Sequence, residues 1–445
     1  MADDIEFLRR LEEDLREAAR GEMSGRRRPG LLPGRWGLTR AMMAFAAGVV
    51  TVSIVALLTL TLVDRSRPDR AQRPEAPGER VAPVPARLLV PGPTGSQLFA
   101  VDASSASDVW AVGGRFTAKP VVEKSLVLHW DGGRWAEVDG PDAVLWDVVA
   151  VSPKDVWAIS GAKIFHWDGD DWKVARHPNP PGVYFAAIDA AAPDDVWVVG
   201  LRLGAKWIDQ YGERNVGYDT LIQHWDGTRW TVVPSPNPTR RHNSLNGIVA
   251  LSPTDAWAVG YAEGATGGPK TMTLHWDGAA WSSVPSPDPG EEFNVLWGMG
   301  TDGAGGVWAV GHFGDPEPSR FEALYLRWTG EAWEVVPGPT GEAGHQTPTA
   351  LGGSSFSDVW AVGSEPTSSL LVAHWEGSEW IATQVEPPIL GENTNPSFED
   401  VVVVSPRAAW AVGHYQRPDG RRLYPWVEYW DGSRWVLAET PKVEG

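Results

Sequence analysis

The phrase His129-Trp130-Asp131-Gly132-Gly133-Arg134-Trp135 is written seven times along the chain. It returns at His166 to Trp172, His224 to Trp230, His275 to Trp281, Arg327 to Trp333, His374 to Trp380 and Tyr429 to Trp435. A second phrase precedes every copy, first as Asp108-Val109-Trp110-Ala111-Val112-Gly113. A repeat of about 50 residues means one supersecondary unit used many times, and such a unit cannot bury its apolar face alone. Three Trp per unit account for 21 of the 26 in the chain, so the Trp excess belongs to the repeat.

From Ser96 onward each unit reads as four strands. Ile248 to Leu251 runs into the turn Ser252-Pro253-Thr254-Asp255, and Ala256 to Gly260 forms the second strand. A loop of variable length leads to a third strand ending at His275-Trp276. Asp277-Gly278 then turns the chain into a fourth, Trp281 to Val284, which stops at Pro285. Four strands per unit and seven units predict an all-β fold, a seven-bladed β-propeller of four-stranded antiparallel blades over residues 94–441. The 49 Gly and 37 Pro suit a chain of many short strands and turns.

The repeat residues have structural reasons. A four-residue hairpin loop sets Trp130 opposite Trp135, and such cross-strand aromatic pairs contribute about 0.2–1 kcal/mol each. Strand two is apolar on both faces, as a strand packed between neighbouring blades must be. Asp108, Asp155, Asp195, Asp255 and Asp358 precede strand two, where a carboxylate accepts turn amide hydrogens. Pro234, Pro285 and Pro337 end the outermost strand and block strand addition by another molecule. The His-Trp-Asp-Gly cluster is therefore expected to be scaffold.

Ahead of the repeats, Ile5, Leu8, Leu11, Leu15 and Ala18 predict a short amphipathic helix over 5–20, a handle for a cytosolic partner. Residues 41–63 hold no charge, and 23 residues at about 1.5 Å each span a hydrocarbon core of about 30 Å, predicting one transmembrane helix of signal-anchor type. Arg residues flank the span on both sides, so charge barely orients it. Residues 1–40 are expected in the cytosol and the propeller outside the cell membrane. Residues 64–93, rich in Pro and Arg, read as an extended stalk, and Arg87 to Val90 as linker or an extra strand of the ring.

Composition excludes several functions. Residues 1–92 carry 15 Lys+Arg against 12 Asp+Glu, whereas 93–445 carry 23 against 45. An acidic body repels nucleic acid, which is excluded as a partner. With no Cys, disulfides, thiolate metal sites and Cys nucleophiles are impossible. The recurrent His129, His166, His224, His275 and His374 lie on different units and cannot converge on zinc. No metal or cofactor is expected.

These motifs resemble the Trp-rich propeller repeats of bacterial cell-surface proteins, grouped with WD40, kelch, galactose-oxidase-like and sialidase-like propellers. The resemblance covers about 96–440 and implies a fold rather than an activity. The chain lacks the Gly-His of WD40 repeats at constant spacing. It also lacks the sialidase box Ser-x-Asp-x-Gly-x-x-Trp, and the Cys that galactose-oxidase chemistry needs. The expected function is a binding or sensing scaffold for protein or carbohydrate, not an enzyme. The alternatives are a sialidase-like glycoside hydrolase acting on cell-surface or cell-wall sugars, and a structural envelope component. The hydrolase would need acidic and Arg side chains converging on the central channel.

Because the repeats are alike, a ligand site is sought where they differ. The second-to-third-strand loops share a face with the links between units. There Gly200 to Thr220 is long and carries Trp207, Tyr211, Arg214 and Tyr218, and the link Pro236 to Asn243 brings Arg240, Arg241 and His242. Phe313 and Tyr415 are offered by two further loops. Exposed aromatic and Arg side chains are common binding anchors.

Overall fold

The computed structural model describes residues 94–441 apart from 117–122, 209–213, 264–267, 316–319, 340–346, 365–369, 386–395 and 417–421. Unit one supplies β1 (Thr94–Ser105), β2 (Asp108–Phe116), β3 (Glu123–Trp130) and β4 (Trp135–Glu137). Unit two supplies β5 (Asp147–Ser152), β6 (Asp155–Ser160), β7 (Lys163–Trp167) and β8 (Trp172–Val174). Unit three has β9 (Tyr184–Ala192), β10 (Asp195–Ile208), β11 (Arg214–Trp225) and β12 (Trp230–Val233). Unit four has β13 (Asn243–Ser252), β14 (Asp255–Glu263), β15 (Pro269–Trp276) and β16 (Trp281–Val284). Unit five has β17 (Phe293–Thr301), β18 (Val307–Asp315), β19 (Arg320–Trp328) and β20 (Trp333–Val336). Unit six has β21 (Thr347–Ser355), β22 (Asp358–Ser364), β23 (Leu370–Trp375) and β24 (Trp380–Ala382). Unit seven has β25 (Ser397–Ser405), β26 (Ala408–Gln416), β27 (Arg422–Trp430) and β28 (Trp435–Leu437).

The strand pairing corrects the expected seven separate blades. Five units stand as independent four-stranded antiparallel sheets, whereas the first and last units share one eight-stranded sheet. The join is a short parallel contact, Thr94 and Gly95 of β1 against Arg422 and Leu423 of β27. Gly95 permits it: its φ is +121°, and a Cβ there would lie 2.2 Å from the Leu423 carbonyl oxygen. The innermost strands touch in a closed cycle, β1 meeting both β5 and β25.

The expected helices have no counterpart in the described part of the fold. The described residues form strands and turns only, and no helix among them is long and apolar enough to cross a membrane. Residues 5–20, 41–63 and the stalk to Pro93 lie outside the described residues.

The core lies between blades. Trp110 of β2 is buried and meets Trp167 at 5.5 Å and, edge-on, Trp172 at 6.1 Å, the hairpin pair of the next unit. Trp157 meets Trp225 and Trp230 in the same way, Trp197 meets Trp276 and Trp281, and Trp360 meets Trp430 and Trp435. Trp410 returns to Trp130 at 6.5 Å. Each hairpin pair therefore braces its own blade and forms a socket for the preceding one.

Within a blade, the sequence expectation for the Asp before strand two is altered. Asp108 binds side chains rather than turn amides: its Oδ1 lies 2.7 Å from His129 Nε2 and accepts from Trp110 Nε1 at 3.1 Å. Asp155–His166, Asp195–His224, Asp255–His275 and Asp358–His374 repeat the pair at 2.6–2.9 Å. The imidazole also stacks on the strand-two indole, at 4.3 Å for Trp110 and 4.0 Å for Trp197. The recurrent His is thus held by a carboxylate of its own blade.

The hairpin Asp has the turn-binding role instead. Asp277 Oδ1 accepts from the N–H groups of Ala279 and Ala280, both at 2.9 Å, and Gly278 turns the chain at φ +89°. A Cβ on Gly278 would sit 2.9 Å from Thr254 Cγ2, whereas a Cβ on Gly330 would meet nothing within 4 Å. Gly330→Ala should therefore cost about 1 kcal/mol from backbone strain alone. Gly278→Ala should cost about 2 kcal/mol, because steric crowding is added to the same strain. Urea unfolding of the two variants checks this; equal costs would remove the steric part.

Candidate functional site on the loop face

Strand one begins where strand two ends, as Gly95 opposite Phe116 shows, so the interblade links and the second-to-third-strand loops share one face. On that face unit three differs from the rest. β10 and β11 run for 14 and 12 residues. The matching strands of the other units span 5 to 9. Past a bulge after Leu203 the hairpin continues through Lys206–Val216, Trp207–Asn215 and Ile208–Arg214. The backbone thus places Trp207 and Arg214 on the overhang, and Tyr211 lies outside the described residues.

The base of this overhang is tied to the link before unit four. Tyr218 N–H donates to the Arg241 carbonyl at 2.8 Å, and Tyr218 and His242 form an isolated parallel bridge with rings 4.9 Å apart. Gly217 makes room, since a Cβ there would lie 2.1 Å from Arg241 O. Buried Asn243 secures the link by donating to Tyr218 O at 3.1 Å and Thr239 O at 2.9 Å.

Glu263, at the end of β14, closes the cluster. It is 7% exposed, its Oε1 accepts from Arg241 Nη1 at 2.8 Å, and its Oε2 lies 3.6 Å from His242 Nε2. Its N–H also donates to His242 O at 2.8 Å. Burial pushes His242 below its ordinary pKa; Glu263 opposes that shift and Arg241 adds to it. Burial also pushes the Tyr218 and Tyr261 hydroxyls up. A buried carboxylate needs a paired, hydrogen-bonded cation, and Arg241 supplies it.

The structure therefore brings together Tyr218, Arg241 and His242 of the residues expected from sequence, with Arg240 exposed beside them. It does not bring in Phe313, which packs half-buried against the core between units four and five. Nor does it bring in Tyr415, stacked on Tyr424 at 5.5 Å in unit seven. Sequence reasoning missed Glu263 and Tyr261. Their signal was weak: an acid and an aromatic two residues apart at the end of one strand two.

The central channel is the other candidate. Bulges set Phe99, Ala186, Asn246, Trp297, Thr349 and Glu399 out of register near the start of the innermost strands. Four carboxylates lie further along. Asp400 Oδ2 accepts from Val101 N–H of unit one at 2.9 Å, and Asp102 Oδ2 from Ala150 N–H at 2.7 Å. Asp147 Oδ2 accepts from Ile188 N–H at 2.9 Å, and Asp189 Oδ2 from Ala250 N–H at 2.7 Å. The Oδ1 atoms of Asp147, Asp189 and Asp400 take the following N–H of their own strand. These carboxylates clasp one blade to the next. Across the ring glycines do that job by close approach: a Cβ on Gly298 would lie 2.2 Å from Thr349 O, and one on Gly300 2.4 Å from Leu351 O.

No protein-family model matches the chain, and no curated protein matches it. Solved structures similar to it include YCF48 bound to D1 peptide, at 16% identity and TM-score 0.44, covering 72% of this chain and 90% of that one. YCF48 from Cyanidioschyzon merolae has 16% identity and TM-score 0.45, with coverage of 73% and 95%. Chaetomium thermophilum Sqt1 bound to the N-terminus of the ribosomal protein L10 has 12% identity and TM-score 0.44, with coverage of 78% and 88%. The propeller architecture stands on the strand pairing above; these relatives give no support to a bacterial cell-surface origin.

Proposed function

We propose that the chain is a protein-binding scaffold that receives its partner on the loop face, at the junction of units three and four. The observation that carries this reading is the overhang of β10 and β11, unmatched among the described residues of the other units and tied at its base to Arg241, His242 and Glu263. A hairpin braced in this way presents its backbone at low ordering cost, and binding gains from such preorganisation. Arg240 adds an exposed cation to an otherwise acidic body. A hydrolase is disfavoured because the axial carboxylates already serve as acceptors for backbone N–H groups of adjoining blades.

The test is affinity capture from native extract with the full chain, with Arg240→Glu, with residues 206–214 replaced by a two-residue turn, and with Arg134→Glu on the opposite face. A stoichiometric protein retained by the wild type and Arg134→Glu, and lost by both loop-face variants, is expected. Equal retention by all four proteins would overturn the assignment.

A further inference from the structure

The repeats act as controls for one another, and one junction between units departs from the rest. Between units two and three a groove of about 340 Å³ opens on the outer rim, on the side of the hairpins and away from the loop face. Its floor is Trp157, stacked on His166 at 4.0 Å, and Trp225 stands 5.3 Å from Trp157. Every junction has such Trp residues. Only this one adds Lys173, Arg176 and Arg229.

Arg176 lies four residues past the second Trp of its hairpin, where the other units carry Asp139, Pro234, Pro285, Pro337, Gln384 and Glu439. At the position of Lys173 none of the other units has a cation. Arg229 has counterparts in Arg134 and Arg434, but in the units preceding these the Arg176 position holds Glu439 and Gln384. Three cations thus meet over an aromatic floor at one junction, beside the hairpin carboxylates Asp168, Asp170, Asp171 and Asp226, with Arg176 on neither hairpin.

The groove is also preorganised. Lys173 Nζ is hydrogen-bonded to Asp168, and Arg229 Nε lies 3.7 Å from Asp226 Oδ2. Those two carboxylates are themselves engaged by hairpin N–H groups, two on each Oδ1. An ammonium has three donors and a guanidinium five, so each cation keeps donors for an incoming acceptor. His166 is held by Asp155 at 2.7 Å, which fixes the floor.

We propose that this groove binds a phosphate monoester with a flat organic group, the phosphate among Lys173, Arg176 and Arg229 and the flat group against Trp225. Arg favours planar, multidentate contact with phosphate, and an indole face accepts a flat partner. The site is open to solvent, so binding is weak and falls with salt. A phosphorylated side chain and a free phosphomonoester share this chemistry.

Ligand-observed saturation-transfer NMR on the full chain tests the assignment, with phenyl phosphate as the probe. Arg176→Ala/Arg229→Ala is expected to weaken binding at least about tenfold, the loss of two charge-assisted contacts. Arg134→Ala/Arg434→Ala, altered at the counterparts of Arg229, is expected to bind like the wild type. A double variant at 176 and 229 that binds unchanged would overturn the site, as would an equal loss in the control pair. Inorganic phosphate competing as well as phenyl phosphate would remove Trp225 from it. A Gly-phosphotyrosine-Gly peptide that binds more tightly than phenyl phosphate assigns the groove to phosphorylated protein, and equal binding assigns it to free phosphomonoesters.

Discussion

Trp197→Ala is expected to lower the unfolding free energy by about 3–5 kcal/mol, near the upper end for a buried aromatic. The side chain is 1% exposed, stacks on His224 at 4.0 Å and meets Trp276 and Trp281 of the next unit at 5.1 and 5.4 Å. Truncation would empty the socket of one blade and unstack the His of another strand. A finer comparison separates packing from hydrogen bonding. Trp197 Nε1 donates to Asp195 Oδ1 at 2.9 Å, whereas Trp308, its counterpart in unit five, has no acceptor for Nε1 and lies under Arg327 at 5.7 Å. Trp197→Phe removes area and a charge-assisted donor, so it should cost about 1–2 kcal/mol more than Trp308→Phe. Urea unfolding followed by far-ultraviolet circular dichroism gives both values. Equal costs for the two Phe variants would show that the Asp-His-Trp network adds nothing beyond packing.

The fold was legible in the sequence wherever a residue acts at fixed spacing. The paired Trp, the hairpin Asp and its Gly recur within seven residues, and each proves to act on neighbours within that hairpin or across one blade boundary. What depends on spacing that varies was not legible. Asp155 and His166 are 11 residues apart and Asp195 and His224 are 29 apart, yet both pairs meet because strands two and three are antiparallel neighbours. The loop between those strands absorbs the difference and hides the pair. The axial Asp residues stand at two offsets, Asp147 and Asp400 at the bulge end and Asp102 and Asp189 further along, so no single column of the repeat marks them. The shared sheet of the first and last units depends on one glycine, Gly95, whose position outside the repeat gave no sign of a partner in β27. On the loop face the cations Arg240 to His242 were visible as an exception to the acidic body. Their buried counter-ion Glu263 was not, because a carboxylate at a strand end usually faces water.

The axial clasp predicts an unusual pH profile. Burial raises Asp102 to about 6 and Asp189 and Asp400 to about 7, against the neighbouring N–H bonds, which favour the charged form. Burial and the nearby Asp400 and Asp189 carboxylates push Asp147 well up too, and burial takes Glu428 to about 7. A carboxyl with a folded pKa above its unfolded value binds more protons when folded, so acidification stabilises the fold. Its contribution is complete below the unfolded pKa near 4 and disappears as pH rises through the folded pKa. At 1.36 kcal/mol per unit this amounts to at most about 3–4 kcal/mol for each of Asp102, Asp189 and Asp400, less once their mutual coupling is allowed for. Two groups oppose it. Burial lowers His312 to about 4 and also lowers His242, so stability from both is lost as pH falls below the ordinary His value near 6.5. Below pH 4 the hairpin carboxylates add to that loss: hydrogen bonds from the Thr228 hydroxyl and hairpin N–H groups hold Asp226 near 2, and hairpin N–H groups also hold Asp131 and Asp277 low. Between pH 8 and 6 the raised carboxyls outweigh the two His groups, and the protein should gain about 4 kcal/mol. Stability should peak near pH 4–5, where the raised carboxyls are protonated and the hairpin carboxylates are still charged, and fall on either side. Urea midpoints at pH 8, 6 and 3.5 measure the profile, and Asp189→Asn should flatten the step from pH 8 to 6 by its own share. A midpoint that is highest at pH 8 would show that the axial carboxylates remain ionised, held by the blade-to-blade N–H groups alone.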